Sequence, residues 1–326
     1  MSEPLLEITD LTVEFGPRAR PVKAVDGVSF AIEAGGSVGV VGESGSGKSL
    51  TALAILRLIP EPPGRISAGR IAFAGTDLLT LPRDRMPDIR GREIAMIFQE
   101  PMSSLNPVMT IGDQIAEVLY LHEDLSRRER RARVIAALAS VGMPAPEERL
   151  GAFPHQFSGG MRQRVMIAMA VACNPKLLIA DEPTTALDVT VQAQVLNLMR
   201  QLRERLNTAL LFVSHDLGVI AEIADRVVVM YAGKVVETGE VRDIFRHPGH
   251  PYTQALLQSI PRVDDERRRL YQIPGGVPSP AARPPGCPFA PRCPSRMVIC
   301  TQEMPPMFAL GGAHQAACWL NDGAAS

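Results

Sequence analysis

Apolar and polar positions alternate near the start of the chain in the way that half-buried strands require. The alternation covers residues 5–15 and returns over 25–32. A short apolar run at 38–41 predicts a buried strand, and residues 69–73 predict a strand that joins the first two. We therefore expect two antiparallel strands before the buried strand and a third after the first helix.

Further along, apolar strand patterns alternate with helical patterns. The strand-like runs are 94–98, 177–180, 209–213 and 226–230. The helical patterns cover 50–58, 111–141 and 165–172. Strands that alternate with helices are typical of a parallel sheet covered on both faces, so the predicted fold class is α/β with a mostly parallel sheet.

Length and composition change this picture at the C-terminus. A chain of 326 residues exceeds the size at which one hydrophobic core usually stops growing. After about residue 260, prolines, glycines and cysteines replace the strand and helix patterns. We expect one large domain over 1–260 and a C-terminal module over 261–326.

The charges are nearly balanced, with 34 basic and 35 acidic residues, so no overall field favours nucleic acid or an anionic membrane. The first residues contain no basic-then-apolar signal segment. No apolar run approaches the roughly 18 to 20 residues that span a bilayer. The expected place of the chain is the cytoplasm, unless another protein holds it at a membrane.

Residues 42–49, here called the phosphate loop, match G-x-x-x-x-G-K-[ST] between the buried strand and the first helix. Glycines let the backbone N–H groups point inward, where they and the positive end of the helix attract a polyphosphate. Lys48 would reach the β- and γ-phosphates, and the Ser49 hydroxyl would bind Mg²⁺. The predicted nucleotide contacts here are Gly42, Glu43, Ser44, Gly45, Ser46, Gly47, Lys48, Ser49 and Leu50.

Polar residues follow three of the apolar strands. Asp181 would lie near Mg²⁺, and Glu182 could orient or deprotonate the attacking water. His215 could contact the γ-phosphate, and Gln99 could touch Mg²⁺ or the water. Taken alone, a histidine in this place is more often structural, and the role of the amide is ambiguous. Phe15 could equally stack on an adenine or belong to the core.

A second anion site is predicted where Ser158, Gly159 and Gly160 open a helix, because a helix N-terminus exposes unpaired N–H groups. One nucleotide does not need two such sites from the same molecule. The economical interpretation is that this second site serves the nucleotide of a partner.

Together these motifs resemble the ATPase subunit of ABC transporters over residues 5–260. In that resemblance the matches are Ser158 to Gln163 for the signature motif, Asp181 and Glu182 for the Walker B aspartate and catalytic glutamate, Ala186 to Asp188 for the D-loop, His215 for the switch histidine, Gln99 for the Q-loop and Phe15 for the A-loop aromatic. The resemblance implies a P-loop NTPase core with an antiparallel β subdomain and a helical subdomain over about 104–170. It also implies two such domains arranged head to tail around two ATP molecules. With one set of motifs, the chain would need a second copy or a similar subunit.

A narrower resemblance points to the dipeptide and oligopeptide importer branch, through residues 94–107, Pro154-His155 and 250–253. It implies a paralogous or identical ATPase partner, two membrane permeases and an extracytoplasmic solute-binding protein, with the chain at the cytoplasmic face of the membrane. Nickel and glutathione importers share much of this pattern. A soluble ABC ATPase acting on nucleic acid or the ribosome would need a coiled-coil insert or a second cassette, and a P-loop kinase has no use for the signature.

Four cysteines, Cys287, Cys293, Cys300 and Cys318, form a C-x5-C-x6-C-x17-C array near the end of the chain. In a cytosolic chain such clustering suggests a metal rather than disulfides. The spacing matches neither a two-residue zinc knuckle nor the compact ferredoxin run, so the chemistry leaves zinc, iron–sulfur and no metal open. Resemblance to the C-terminal module of peptide-importer ATPases implies a structural [4Fe–4S] cluster, with zinc as the alternative.

Overall fold

The computed structural model describes residues 3–99, 104–185, 187–260 and 272–323. It divides into two units. The first unit comprises Met1–Ile32, Ser37–Leu79 and Phe212–Ser326, and the second comprises Glu33–Gly36 and Thr80–Leu211. Residues 100–103 of the peptide-importer resemblance, Ala186 of the predicted D-loop and residues 261–271 of the predicted C-terminal module lie outside the described residues.

The described strands are β1 (Leu6–Phe15), β2 (Val22–Ile32), β3 (Ser37–Val41), β4 (Gly64–Phe73), β5 (Thr76–Asp77), β6 (Ile94–Ile97), β7 (Leu177–Asp181), β8 (Ala209–Ser214), β9 (Arg226–Tyr231), β10 (Lys234–Glu240), β11 (Phe308–Gly311) and β12 (His314–Ala316). The described α-helices are α1 (Lys48–Ile55), α2 (Ile111–His122), α3 (Arg127–Ser140), α4 (Pro146–Arg149), α5 (Gly159–Val171), α6 (Val189–Leu206), α7 (Leu217–Ile223), α8 (Val241–Arg246), α9 (Pro251–Gln258) and α10 (Ile299–Gln302).

The first unit contains a four-stranded sheet in the order β2-β1-β4-β5. Strand β1 pairs antiparallel with β2 and with β4, so that Leu6 lies opposite both Ile32 and Phe73. Its apolar side chains are buried, as alternation in the sequence predicts, except for Phe15 at its end, which is half-buried. The prediction that three early strands join in one antiparallel sheet is confirmed. Strand β4 begins at Gly64, earlier than predicted, because residues 64–68 pair through their backbone without an apolar pattern.

The other strands of the first unit follow the order β11-β12-β10-β9-β3. Strand β3 is buried along its whole length and runs parallel to β9, while β10 pairs antiparallel with β9 and with β12. A strand buried on both faces carries a continuous apolar run, which explains the sequence of β3. Strands β11 and β12 come from the predicted C-terminal module and extend the same sheet, which the sequence did not indicate.

In the second unit β6 runs parallel to β7, with Ile94 opposite Leu177. The helical pattern over 111–141 is divided into α2 and α3. Helix α3 begins with a capping box, in which Ser126 and Glu129 exchange hydrogen bonds between side chain and backbone. Across the described part of the chain, every helix is too short or too polar to cross a membrane.

The predicted C-terminal module packs on the core of the first unit through an aromatic cluster and a set of buried hydrogen bonds. Phe289 is 1% exposed, and the centroid of its ring lies 5.3 Å from the ring centroids of Tyr231 and Tyr252. The carboxylate of the fully buried Glu237 accepts a hydrogen bond from His314 at 2.8 Å and from the backbone N–H groups that precede α9. These contacts tie the last part of the chain to strands β9 and β10.

We expect His250 to make folding stability depend on pH. Burial lowers the pKa of His250 to about 4, against the opposing effect of Glu237, whereas an unfolded histidine has a pKa of about 6.5. The unfolded chain therefore binds a proton that the folded chain excludes, so this contribution is complete above about pH 6.5 and is lost as the pH falls towards about 4.

His250→Asn removes this titration, while its amide oxygen can still accept the Tyr252 N–H at the start of α9. Between pH values of about 6.5 and 5, the free energy of unfolding of the unaltered chain should fall faster than that of the variant, by up to about 1.4 kcal/mol per pH unit. Urea unfolding at several pH values measures both slopes. Parallel slopes would show that His250 does not titrate in this way.

Candidate nucleotide site

The phosphate loop connects β3 to α1, as predicted. Lys48 is buried, and its Nζ donates to the carbonyl oxygens of Gly42 at 2.8 Å and Glu43 at 3.2 Å. Gly47 occupies the N-cap position of α1 in a left-handed conformation, and no side chain caps the helix. The start of α1 is therefore not covered by a capping side chain, which is the arrangement that lets a helix N-terminus bind a phosphate.

Close backbone packing requires two of the glycines in this loop. A Cβ atom on Gly42 would lie 2.1 Å from the carbonyl oxygen of Met230, and one on Gly47 would lie 2.9 Å from that of Ala24. Gly45 differs, because a Cβ there would meet no atom within 4 Å. The Ser46 hydroxyl oxygen is buried and has no hydrogen-bond partner among the described residues. One side of the loop is thus packed on the protein, and the other side is open to a ligand.

Two further predicted residues belong to the first unit. Phe15 ends β1 and is half-buried, which leaves part of its ring accessible. His215 is exposed and follows Ser214, the last residue of β8. The turn that carries His215 is held by hydrogen bonds from the Asp216 N–H to the Ser214 hydroxyl (3.0 Å) and from the Gly218 N–H to the Asp216 carboxylate (2.7 Å).

In the second unit the structure brings Gln99 and Glu182 together. The Glu182 carboxylate accepts hydrogen bonds from the Gln99 side-chain amide at 3.2 Å and from the Thr185 hydroxyl at 3.0 Å. Glu182 has a φ of 47°, which is unusual for a glutamate and is typical of positions held by their surroundings at functional sites. Asp181, one residue earlier, is buried at the end of β7. The sequence did not single out Thr185, although it lies only one turn beyond the acidic pair.

The predicted signature residues open α5 in the second unit. Ser158 is the N-cap, and its hydroxyl accepts the Met161 N–H at 3.4 Å. A Cβ atom on Gly160 would lie 2.9 Å from Val191 of α6, whereas one on Gly159 would meet nothing within 4 Å. Gly159 therefore presents bare backbone to open space. Asp188, the predicted D-loop aspartate, caps α6 by accepting the Val191 N–H at 2.8 Å, so it has a structural partner within its own unit.

The predicted Mg²⁺ ligands fit that ion in chemistry. Ser49, Asp181 and Gln99 offer a hydroxyl, a carboxylate and an amide oxygen, which are the hard donors that Mg²⁺ prefers. Ser49 belongs to the first unit, and the other two belong to the second.

The four-cysteine array is less well supported as a metal site. All four thiols are free, and Cys287, Cys300 and Cys318 are buried. Burial raises the pKa of the Cys287 thiol to about 11, and the neighbouring thiols of Cys318 and Cys300 act in the same direction. Even so, no group of three or more His, Cys, Asp or Glu side chains in the described ranges is arranged to hold a metal ion. The structure does not support the predicted cluster as the side chains stand.

Comparison with known proteins identifies the family. The sequence profile of ABC transporters matches residues 25–185, and that of the oligopeptide/dipeptide transporter C-terminal region matches 236–300. The chain is 51% identical to the oligopeptide transport ATP-binding protein OppD of Bacillus subtilis (strain 168), over 97% of this chain and 88% of OppD. It is 48% identical to the dipeptide transport ATP-binding protein DppD of the same organism, over 98% of this chain and 96% of DppD.

Solved structures agree with this assignment. The dimeric post-hydrolysis structure of the ATP-binding cassette MJ0796 bound to ADP and Pi superposes with a TM-score of 0.65 at 28% identity, covering 73% of this chain and 99% of MJ0796. The predicted α/β fold with a P-loop ATPase core is confirmed. The chain belongs to the ABC transporter family, as an ATPase subunit that carries the C-terminal region of oligopeptide and dipeptide transporters.

Proposed function

We propose that this chain hydrolyses ATP to energise the import of dipeptides and oligopeptides through a membrane complex. The Glu182 carboxylate, held by Gln99 and Thr185 at the end of a buried strand, is the observation that carries the hydrolytic role. The peptide substrate is supported by similarity to OppD and DppD over nearly the whole chain. Nickel, glutathione or another small solute is the alternative cargo for the same machine.

The phosphate loop would hold the nucleotide. Backbone N–H groups at the start of α1, including those of Ser49 and Leu50, would bind the phosphates, and Lys48 would leave its carbonyl partners to contact the β- and γ-oxygens. Phe15 would stack on the adenine. Mg²⁺, held by Ser49, Asp181 and Gln99, would neutralise charge on the phosphates.

Glu182 would act on the attacking water. A carboxylate that already accepts two hydrogen bonds is fixed in orientation, which suits a general base. Because the Gln99 amide donates a hydrogen bond to this carboxylate, a movement of Gln99 would change the position of Glu182. His215, on the turn after β8, would contact the γ-phosphate. General-base catalysis of this kind contributes about 10²–10⁴ in rate.

The signature residues would serve the ATP held by a partner subunit. Bare backbone at Gly159 gives a phosphate room to approach the N-terminus of α5. ATP bound in this way contacts both subunits, so it favours the closed pair, and hydrolysis removes that preference. We assign residues 1–260 to this ATPase role. A paralogous or identical ATPase, two permeases and an extracytoplasmic solute-binding protein would complete the importer, with this chain on the cytoplasmic face.

We also propose that the four cysteines take up a [4Fe–4S] cluster, with zinc as the alternative. The support is that four free thiols, three of them buried, occur in one C-x5-C-x6-C-x17-C array, and that the pKa of Cys287 is raised first by burial and then by Cys318 and Cys300. The four thiols would have to move closer together to bind the metal. Its role would be structural, since ATP hydrolysis needs no redox step. Absorbance near about 400 nm after anaerobic purification indicates iron–sulfur, zinc by elemental analysis indicates the alternative, and neither metal would contradict the proposal.

Glu182→Gln should bind ATP but hydrolyse it about 10²–10⁴-fold more slowly, because the amide cannot accept the proton. It should accumulate as an ATP-bound pair with its partner ATPase, and cells that carry it should lose uptake of labelled dipeptides and tripeptides. Phosphate release, nucleotide binding and peptide uptake measure the three effects. Lys48→Ala is the control, since it should lose ATP binding instead. Normal turnover by the Gln variant would remove Glu182 from this role.

Substitutions at two neighbouring glycines of the signature should have different effects, one on folding stability and the other on ATPase activity. Gly160→Ala should lower the free energy of unfolding by about 1–3 kcal/mol, because the new methyl group collides with Val191. Gly159→Ala should fold as well as the unaltered chain, since its methyl group points into open space, yet it should lower the ATPase rate of the assembled pair by blocking the phosphate. Urea unfolding and phosphate release give the two readouts. Full ATPase activity in a folded Gly159→Ala chain would contradict the assignment.

A further inference from the structure

An arginine from the C-terminal region reaches the phosphate loop within the first unit. Arg292 ends the short 3-10 turn Ala290–Arg292. Its Nη1 donates to Glu43 Oε2 at 2.6 Å, and its Nη2 donates to Glu43 Oε1 at 3.0 Å. The Arg292 side chain is 4% exposed and that of Glu43 is 30% exposed. A bidentate arginine–carboxylate pair makes charge-assisted hydrogen bonds that are stronger and more directional than the contact of an exposed ion pair.

Glu43 is the second residue of the phosphate loop and is held at three points. Besides its carboxylate, its backbone N–H donates to the Tyr252 hydroxyl at 2.8 Å. Its carbonyl oxygen accepts a hydrogen bond from Lys48 Nζ at 3.2 Å. Glu43, which pairs with Arg292, is therefore also hydrogen-bonded to Lys48, the lysine that would contact the phosphates.

Arg292 is itself held in place. Nη1 also donates to the Tyr231 hydroxyl at 3.1 Å, Nη2 to the Ile273 carbonyl at 3.1 Å, and Nε to the Pro274 carbonyl at 2.8 Å. The guanidinium lies 5.7 Å from the centre of the Tyr231 ring and 5.9 Å from that of Phe289. These contacts fix the Arg292 side chain in place, unlike that of a mobile surface arginine.

The charge of Glu43 gives the Arg292 contact a consequence for ligand binding. An acidic side chain inside a loop that binds polyphosphate would repel the ligand if its charge were not neutralised. A loop with three glycines also loses much conformational freedom when it orders around a ligand, so prior ordering increases affinity. The Arg292 contact supplies both neutralisation and ordering.

We propose that Arg292 is a positioning residue for ATP binding: by neutralising and fixing Glu43, it holds the phosphate loop ready for the nucleotide, and so makes ATP affinity depend on the C-terminal module. This inference rests on the proposed nucleotide site. Its role is in binding, so it should alter the KM for ATP and leave kcat almost unchanged.

The test is ATP affinity of the full-length chain, measured with a fluorescent ATP analogue. Arg292→Met should weaken binding about tenfold, which corresponds to the loss of charge-assisted hydrogen bonds. Arg292→Lys keeps the charge but not the paired contact, so its ATP affinity should lie between that of the unaltered chain and that of Arg292→Met. Adding Glu43→Gln to Arg292→Met should restore part of the affinity, because it removes the unneutralised carboxylate.

Arg283→Met is the matched control. Arg283 also comes from the C-terminal region and anchors it through the Asp26 carboxylate and the Lys23 carbonyl, at 3.0 and 2.7 Å, without touching Glu43. It should change ATP affinity by less than about twofold, and thermal unfolding of each variant shows that it is folded.

Three results would overturn the proposal: unchanged ATP affinity in folded Arg292→Met, an equal loss in Arg283→Met, or no recovery in the double variant. If Arg292→Met does not fold, Arg292→Lys decides, and unaltered affinity in that variant would count against the role. Lys48→Ala is measured in parallel. ATP binding retained by that variant would reject the nucleotide site itself, which is a different failure from that of Arg292.

Discussion

The nucleotide site depends on the start of α1, where no side chain caps the helix. Gly47, which has no side chain that could cap it, occupies the N-cap position in a left-handed conformation, so a phosphate can approach the first-turn N–H groups. Gly42 and Gly47 also let the loop pack against the backbone at Met230 and Ala24, where no side chain would fit. A rigid set of donors beside a buried lysine favours a polyphosphate over other ligands. The short, fully buried β3 fixes where this set begins.

The residues to which we assign hydrolysis lie in a separate part of the chain. Glu182, Gln99 and the signature residues all belong to the second unit, each on the end of a strand or helix. Strand and helix ends suit this work because their own backbone is held firmly, while the side chain or N–H group that follows is left to act. The two adjacent glycines differ in their surroundings: Gly160 packs against Val191, whereas the backbone of Gly159 is open to a ligand.

Features that depend on neighbouring residues could be predicted from the sequence. The phosphate loop, the acidic pair after β7 and the early antiparallel strands all follow from spacing or alternation, and the structure places them accordingly. The Arg292–Glu43 pair could not be predicted, since 249 residues separate its members and many other charges could have partnered either one. The same holds for His314 with Glu237, and for β11 and β12, whose short sequences lack a strong strand pattern. Cysteine spacing suggested a metal, but spacing alone does not determine how closely thiols approach.

In the mechanism that we propose, the signature of this chain contacts ATP held by another subunit. An ATP analogue with a photoreactive group on the γ-phosphate tests it in an assembled pair, where this chain carries Lys48→Ala and its partner is unaltered. We expect cross-linking at residues 158–160 of this chain to persist, because the partner's phosphate loop still holds the nucleotide. Loss of that cross-link, in step with the loss of nucleotide from the chain's own loop, would contradict the claim.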